Sequence, residues 1–164
     1  MASKTKFPIY EGKESMISVE IDPKQIEKIM EIPVEAGKKA FTYLALEVWG
    51  GMRKESPVDH GRLAGSWQLE KRGDFEARIV SGVEYAPYVA FGTGLYGPNK
   101  QAIVITPVQA KCLHFIWQGE EIFAKKVVVE GMHPNPYHER AMEKGESRVD
   151  EFIARALKET EKGV

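Results

Sequence analysis

The stretch SPVDHGRLAGSW, residues 56–67, separates a segment with helical periodicity from a segment with strand periodicity. Pro57 is predicted to end the preceding helix, because proline cannot donate the backbone hydrogen bond that a helix interior requires. Gly61 allows the backbone to bend, and Leu63 is expected to enter the core. This stretch, called the corner below, is therefore predicted to connect the helical part of the fold to a sheet.

Polar side chains in the corner have a structural and a chemical interpretation. In the structural one, Asp59 or His60 caps a short turn, because side-chain acceptors satisfy the free N–H groups where a helix begins. Ser66 then begins a β-hairpin, and Arg62 projects from the turn toward an acidic group of the same chain or of a neighbour. In the chemical one, His60 and Ser66 with Asp59 serve a small metal-dependent or serine hydrolase, although neighbours in sequence seldom converge on one reacting atom.

The segment before the corner predicts the main helix. Pro33 begins the segment, and apolar residues recur after it at intervals of three and four positions, which is typical of one helix face. These residues are Phe41, Leu44, Ala45, Val48 and Met52. We expect this face to pack on the sheet.

Residues 1–15 are polar and predict a flexible N-terminal arm. After the arm, the alternation of Ile17, Val19 and Ile21 predicts a strand. Asp22 followed by Pro23 predicts the start of a short helix, since an acceptor at the N-cap and proline at the first helical position favour initiation.

Strands are predicted beyond the corner. The segment SWQLEKRGDFEARIVSG, residues 66–82, predicts a hairpin around KRGD. Four further strand candidates follow, at residues 83–91, 102–107, 112–119 and 121–131. The last segment is helical again, with apolar residues Val149, Phe152, Ile153, Ala156 and Leu157 and a predicted ion pair of Glu151 with Arg155. The sequence predicts an α+β fold with N-terminal helices and a C-terminal helix packed on a mostly antiparallel β-sheet, as a single domain over residues 16–164.

Composition restricts the classes of function. The 164 residues are 43% hydrophobic with a formal net charge of −1, which favours a globular chain without a general attraction to nucleic acid. The single cysteine, Cys112, excludes an internal disulfide. No apolar run approaches the roughly 20 residues that cross a bilayer, and the N-terminus lacks a signal-peptide core. We expect an intracellular chain that does not bind a membrane.

Two further patterns resemble binding sites without meeting the requirements of one. GTGLYG, residues 92–97, matches a dinucleotide-binding string, but that motif must lead from a strand into a helix. Pro98 and Asn99 follow instead, so the segment predicts a glycine-rich loop between strands. The four histidines, at positions 60, 114, 133 and 138, lack the spacing of a zinc site. We expect no cofactor and no metal.

The corner and two later blocks together resemble the tail-component family of tailed bacteriophages. The other blocks are YAPYVAFGTG, residues 85–94, and the segment from Lys111 through the bend HPNPY into a C-terminal helix. The positions that match the family pattern are Pro57, Val58, Asp59, Gly61, Leu63, Ser66, Tyr85, Ala86, Tyr88, Val89, Gly92, Thr93, Lys111, Leu113, Phe115, Gly131, Pro134, Pro136 and Tyr137. His60 replaces the usual threonine, and Ala90 replaces the usual glutamate.

The resemblance implies a non-enzymatic virion assembly protein of a phage or prophage. Such proteins act at the head–tail neck in tail completion or head–tail joining. The implied partners are further copies of the chain in a hexameric ring, other neck proteins and tail-tube proteins, with DNA passing through the ring. The implied location is the host bacterial cytoplasm during assembly and then the virion.

A cyclic ring joins two different patches of neighbouring subunits. The first candidate patch is aromatic, a residue type that suits interface cores, and the second combines the corner with the proline-rich bend. The candidate interface residues are Arg62, Tyr85, Tyr88, Phe91, Thr93, Tyr96, Pro134 and Pro136. The residues with a predicted structural role in the motif are Pro57, Asp59, Gly61, Leu63, Ser66 and Gly92.

Overall fold

The structure is a computed structural model that describes residues 17–21, 23–58 and 60–163. The predicted N-terminal arm and the predicted caps Asp22 and Asp59 lie outside these ranges. The chain divides into two compact units: the first comprises the described residues up to Pro87 and from Pro136 onward, and the second comprises residues 88–135.

The chain combines helices with antiparallel strands that fall largely in separate runs, so the α+β prediction is confirmed. The helices are α1 (Pro23–Met30), α2 (Val34–Glu55), α3 (Arg62–Ser66), α4 (Ala86–Phe91), α5 (Tyr137–Glu146) and α6 (Val149–Glu161). The strands are β1 (Ile17–Glu20), β2 (Gln68–Lys71), β3 (Ala77–Ser81), β4 (Ile103–Ile105), β5 (Leu113–Trp117), β6 (Glu120–Ala124) and β7 (Val127–Val129). They form three small sheets instead of the single predicted sheet.

The first unit contains a three-stranded antiparallel sheet with the order β1-β3-β2. Val19 lies opposite Ile79 in β3, and Leu69 of β2 lies opposite Ile79 on the other side. Ile17, Val19 and Ile21 are all buried, as their alternation predicts. Residues 72–76 connect β2 to β3, so the predicted hairpin around KRGD is confirmed.

Helix α2 is the central element of the first unit. Its predicted apolar face is buried, and Leu44, Val48 and Met52 have no exposed surface. The prediction placed this face on the sheet, whereas α2 packs chiefly on α5 and α6 and contacts the sheet through β2. The physical reason is that α5 and α6 also carry apolar stripes, and two such helices cover a long helical face better than a short, twisted sheet.

Small residues allow α2 and α5 to approach closely. A Cβ atom at Gly51 would lie 3.1 Å from Cβ of Ala141. A Cβ atom at Gly145 would lie 2.6 Å from Cγ2 of Val48, a distance that real side chains do not adopt. The backbones therefore approach at both points because these residues lack side chains.

Polar side chains bridge the same helices at the surface. Arg148 contacts Glu47 of α2 and Glu151 of α6, each at 2.8 Å. Arg155 bonds Glu159 at 2.9 Å, so the predicted partner of Arg155, Glu151, is instead bound by Arg148. Because these groups are exposed, the ion pairs orient the helices more than they stabilise them.

The second unit contains two two-stranded antiparallel sheets, one of β4 with β7 and one of the consecutive strands β5 and β6. The predicted single strand over residues 121–131 is two strands, β6 and β7, which a bend at Lys125 and Lys126 separates. The predicted strand over residues 83–91 is wrong, because α4 occupies Ala86–Phe91. Ala86 and Ala90 are buried at helical spacing, and Pro87 lies in the first turn, where a missing N–H costs nothing.

The segment GTGLYG follows helix α4, so the prediction that it connects two strands is wrong at its N-terminal side. It contains a 3₁₀ turn at Gly94–Tyr96. None of the helices in the described ranges combines the length and the apolar character of a bilayer span.

Leu44→Asp tests the packing of α2. Leu44 is completely buried, so an aspartate there would place an uncompensated charge in the core and should lower the free energy of unfolding by several kcal/mol, roughly 3 or more. Leu46→Asp is the matched control on the same helix, because Leu46 is 45% exposed. Urea unfolding followed by circular dichroism measures both variants, and equal stabilities would contradict the packing of this face.

Candidate functional site

The corner changes chain direction through two consecutive residues in the left-handed region. His60 has φ +57 and Gly61 has φ +72, and α3 begins directly after them. The N-cap residue of α3 is Gly61, which has no side chain, so the prediction that His60 occupies the cap position is wrong. The alternative cap, Asp59, lies outside the described residues. Pro57 follows the end of α2 at Glu55, as predicted.

A buried chain of hydrogen bonds holds the corner against α2. The indole Nε1 of Trp67 donates to Oγ of Ser56 at 2.8 Å, and Ser56 in turn donates to the carbonyl oxygen of Met52. The indole Nε1 of Trp49 donates to the carbonyl oxygen of Trp67 at 2.9 Å. Trp67 also packs edge-on against Tyr137 of α5, with ring centroids 5.9 Å apart. Sequence reasoning missed Ser56, although a serine directly after a helix often bonds back to its last turn.

Ser66 connects α3 to the sheet. Its Oγ donates to the carbonyl oxygen of Leu63 at 2.7 Å and lies 2.7 Å from Oγ of Ser81. Leu63 is buried, as predicted, and Ser81 is completely buried on β3. A serine nucleophile needs a base within hydrogen-bond distance, and neither of these two partners is a base. The hydroxyl group therefore has a clear structural role.

An open depression of about 500 Å³ lies between the corner and the last turns of α2. Glycine and alanine residues and two basic residues line it, namely Gly50, Arg53, Lys54, Gly61, Ala64 and Gly65. The guanidinium group of Arg53 lies 5.0 Å from the ring centroid of Trp49, which fixes its position. Arg62 is exposed on the same helical turn as Ala64 and Gly65. The small residues leave space for a protruding segment of a partner, and the basic side chains can bind acidic or polar groups on that segment.

The aromatic candidates differ in exposure. Tyr85 is 36% exposed and Tyr88 is 42% exposed. Phe91 and Tyr96 are half-buried. Tyr96 stacks on His133 with ring centroids 3.6 Å apart, and its hydroxyl donates to Glu130 at 3.0 Å. Tyr85 and Tyr88 are thus the aromatic candidates with the most surface for a partner.

Within the second unit, the glycine-rich loop pairs with the segment that precedes the proline bend. The N–H group of Thr93 donates to the carbonyl oxygen of Met132, and Oγ1 of Thr93 accepts from the N–H group of Met132, both at 2.9 Å. A Cβ atom at Gly92 would lie 2.7 Å from the carbonyl oxygen of Met132, and one at Gly94 would lie 2.1 Å from that of Glu130. Both glycines have positive φ. Close backbone pairing therefore explains these glycines without a nucleotide.

The bend itself leads into α5, as the resemblance implies. Pro134 is exposed, and Pro136 is the half-buried N-cap residue of α5. Asn135 donates its backbone N–H group to the carbonyl oxygen of Val89 at 2.9 Å. This bond lies within the second unit and fixes the path of the bend.

The histidines occupy different environments. His114 stacks on Phe123, with centroids 4.5 Å apart, and His138 is buried in α5, where burial lowers its pKa. Across residues 17–21, 23–58 and 60–163, no group of three or more histidine, cysteine, aspartate or glutamate residues could hold a metal ion.

Comparison with known proteins adds no relative: no family model, no curated protein and no solved structure matches the chain. The resemblance to the tail-component family consequently rests on the sequence blocks and their order.

Ser56→Ala tests the buried chain of hydrogen bonds. It leaves the indole N–H group of Trp67 without its acceptor, and we expect a loss of about 1–3 kcal/mol in the free energy of unfolding. Ser147→Ala is the matched control, because Ser147 is also a C-cap serine whose Oγ bonds a carbonyl oxygen of its own helix, but it is exposed. The control should change stability by less than about 0.5 kcal/mol. Chemical denaturation measures the free energy of unfolding of both variants. An unchanged stability of Ser56→Ala would contradict the stabilising role of these hydrogen bonds.

Proposed function

We propose that the chain is a non-enzymatic assembly protein of a tailed phage or prophage virion. In this proposal, copies of the chain form a ring, a hexamer, at the head–tail neck, where they serve tail completion or head–tail joining. The ring contacts other neck proteins and tail-tube proteins, and DNA passes through its lumen. The protein acts in the host bacterial cytoplasm during assembly and remains in the virion.

The exposure of Tyr85 and Tyr88 is the observation that best supports this proposal. Both residues match the second block of the resemblance, and both are exposed, at 36% and 42%. Large aromatic side chains are enriched in the cores of protein interfaces and contribute strongly when a partner buries them. The resemblance and the exposed surface therefore favour the same segment as an interface.

The corner offers a second patch of different character. Its depression is lined by small residues and by Arg53 and Lys54, and Arg62 is exposed beside it. A ring with cyclic symmetry needs two unlike patches that fit one another on adjacent subunits. The aromatic segment with the tyrosine hydroxyl groups and the basic corner satisfy this requirement in chemical terms, because hydroxyl groups can donate to or accept from polar groups of a partner.

The polar groups of the corner support a structural role. Ser56 and Ser66 are engaged in hydrogen bonds that connect α2, α3 and β3. Such bonds hold the corner rigid, and a rigid patch loses less conformational entropy when a neighbour binds it. The same residues therefore serve the fold and the proposed interface.

Complementation tests the proposal in a phage or prophage whose copy of the gene is deleted. Folded Tyr88→Ala and Arg62→Glu proteins should each reduce the yield of infectious particles at least about tenfold, because an interface hot spot contributes 2 kcal/mol or more. Electron microscopy should show unjoined heads and tails or incomplete tails. Val108→Ala and Lys162→Glu are the matched controls, since both residues are exposed and lie outside the two patches. Normal yields from both folded test variants would contradict the proposed interface.

A further inference from the structure

Strands β5 and β6 form a hairpin whose turn fixes the orientation of every backbone group in it. The turn residues Gln118 and Gly119 both have positive φ, at +52 and +87, which is the type I′ turn of two-residue hairpins. In such a turn the carbonyl group of Trp117 accepts from the N–H group of Glu120. In the described part of the chain this sheet has two strands only, so each strand has an unpaired edge.

Hydrogen bonding alternates from one residue pair to the next along β5 and β6. This alternation determines which residues of β6 have backbone N–H and C=O groups that point to the unpaired edge. Hydrogen-bonded and non-hydrogen-bonded pairs alternate in an antiparallel sheet. Because Trp117 and Glu120 bond one another, the pairs Phe115–Ile122 and Leu113–Ala124 do so too. The N–H and C=O groups of Glu121 and Phe123 therefore point away from β5.

The sequence along this edge is complementary to itself when read backwards. Residues 120–126 read EEIFAKK, with two acids before Phe123 and two bases that follow the end of β6 at Ala124. If two copies lie antiparallel with Phe123 opposite Phe123 and the pairing continues past the end of β6, then Glu121 faces Lys125 and Glu120 faces Lys126. All four charged residues are exposed. Opposite charges across strands stabilise pairing, whereas a parallel in-register arrangement would place like charges together.

The side chains of the β5–β6 hairpin are also largely exposed. Ile116 is 70% exposed, Trp117 62% and Phe123 64%, and no side chain of β5 or β6 is buried. An isolated two-stranded ribbon is only marginally stable in water, and three or more strands with an apolar face are normally required. The unpaired edge of β5 has no comparable charge pattern that would define the register of pairing. Its sequence, LHFIW, carries only one titratable residue, His114.

We propose that two copies of the chain pair through the free edges of β6, antiparallel and centred on Phe123. The product is a continuous four-stranded sheet in which the outward backbone groups of Phe123 bond those of its symmetry mate. The stacked rings of His114 and Phe123 then extend across the two-fold axis as an aromatic row. This contact is isologous and differs from the unlike patches that a cyclic ring uses, so it does not rest on the proposed function.

Charge exchange between two variants tests the pairing by analytical ultracentrifugation. Glu120→Lys/Glu121→Lys and Lys125→Glu/Lys126→Glu each place like charges opposite one another, and we expect the dimer dissociation constant of each to rise by roughly tenfold or more. An equimolar mixture should recover a wild-type dissociation constant as a heterodimer, because every opposite-charge pair is restored.

Cysteine crosslinking tests the register independently. In a Cys112→Ser background, Phe123→Cys should form an intermolecular disulfide, because hydrogen-bonded partners have Cα atoms about 5.5 Å apart, within disulfide range. Val128→Cys is the matched control, an exposed residue of β7 in the other two-stranded sheet, and should crosslink poorly. A monomeric wild type at all concentrations would overturn the proposal. So would unchanged self-association of both charge variants, a mixture without recovery, or equal crosslinking of both cysteines. A larger ring that the charge exchange leaves intact would support the proposed function and overturn this contact.

Discussion

The contact of helix α2 with the two C-terminal helices determines most of the first unit. The buried face of α2 is long, and its neighbours come from residues almost a hundred positions later in the chain. Gly145 allows the closest approach, because a side chain there would overlap Val48. Once this packing forms, the end of α2 is fixed, and so is the position from which the corner begins.

The corner depends on that fixed end. The indole N–H group of Trp67 donates to Oγ of Ser56, and the ring of Tyr137 in α5 packs edge-on against the Trp67 ring. A buried indole N–H group requires an acceptor, so the corner can adopt few other conformations. Its outer surface is therefore held in one arrangement.

The sequence predicted the long, periodic elements well. The apolar stripe of α2, the alternation in β1 and the hairpin around KRGD are all in the structure, because each signal extends over several residues with one period. The short segment at residues 83–91 was misassigned, since Ala86 and Ala90 at helical spacing are a weak signal beside the β-branched and aromatic residues around them. The break of residues 121–131 at Lys125 and Lys126 does not follow from the sequence, because no glycine or proline marks it.

Features that depend on distant residues could not be predicted from local pattern. The pairing of Thr93 with Met132, which explains Gly92 and Gly94, joins segments about forty positions apart. The bond from Trp67 to Ser56 and the choice of Glu151 as partner of Arg148 also depend on the assembled packing. The interface candidates follow from the resemblance, and their exposure distinguishes Tyr85 and Tyr88 from the half-buried Phe91 and Tyr96.

The two units differ in how completely they bury their side chains, and this contrast is central to the account. The first unit has a filled core, whereas no side chain of β4, β5, β6 or β7 is buried. Hydrogen–deuterium exchange at low and high protein concentration tests the contrast directly. The account predicts slow exchange in residues 34–55 at both concentrations, and protection of the outward amides of Glu121 and Phe123 that appears only at the high concentration. Protection of these two amides that is independent of concentration would contradict it.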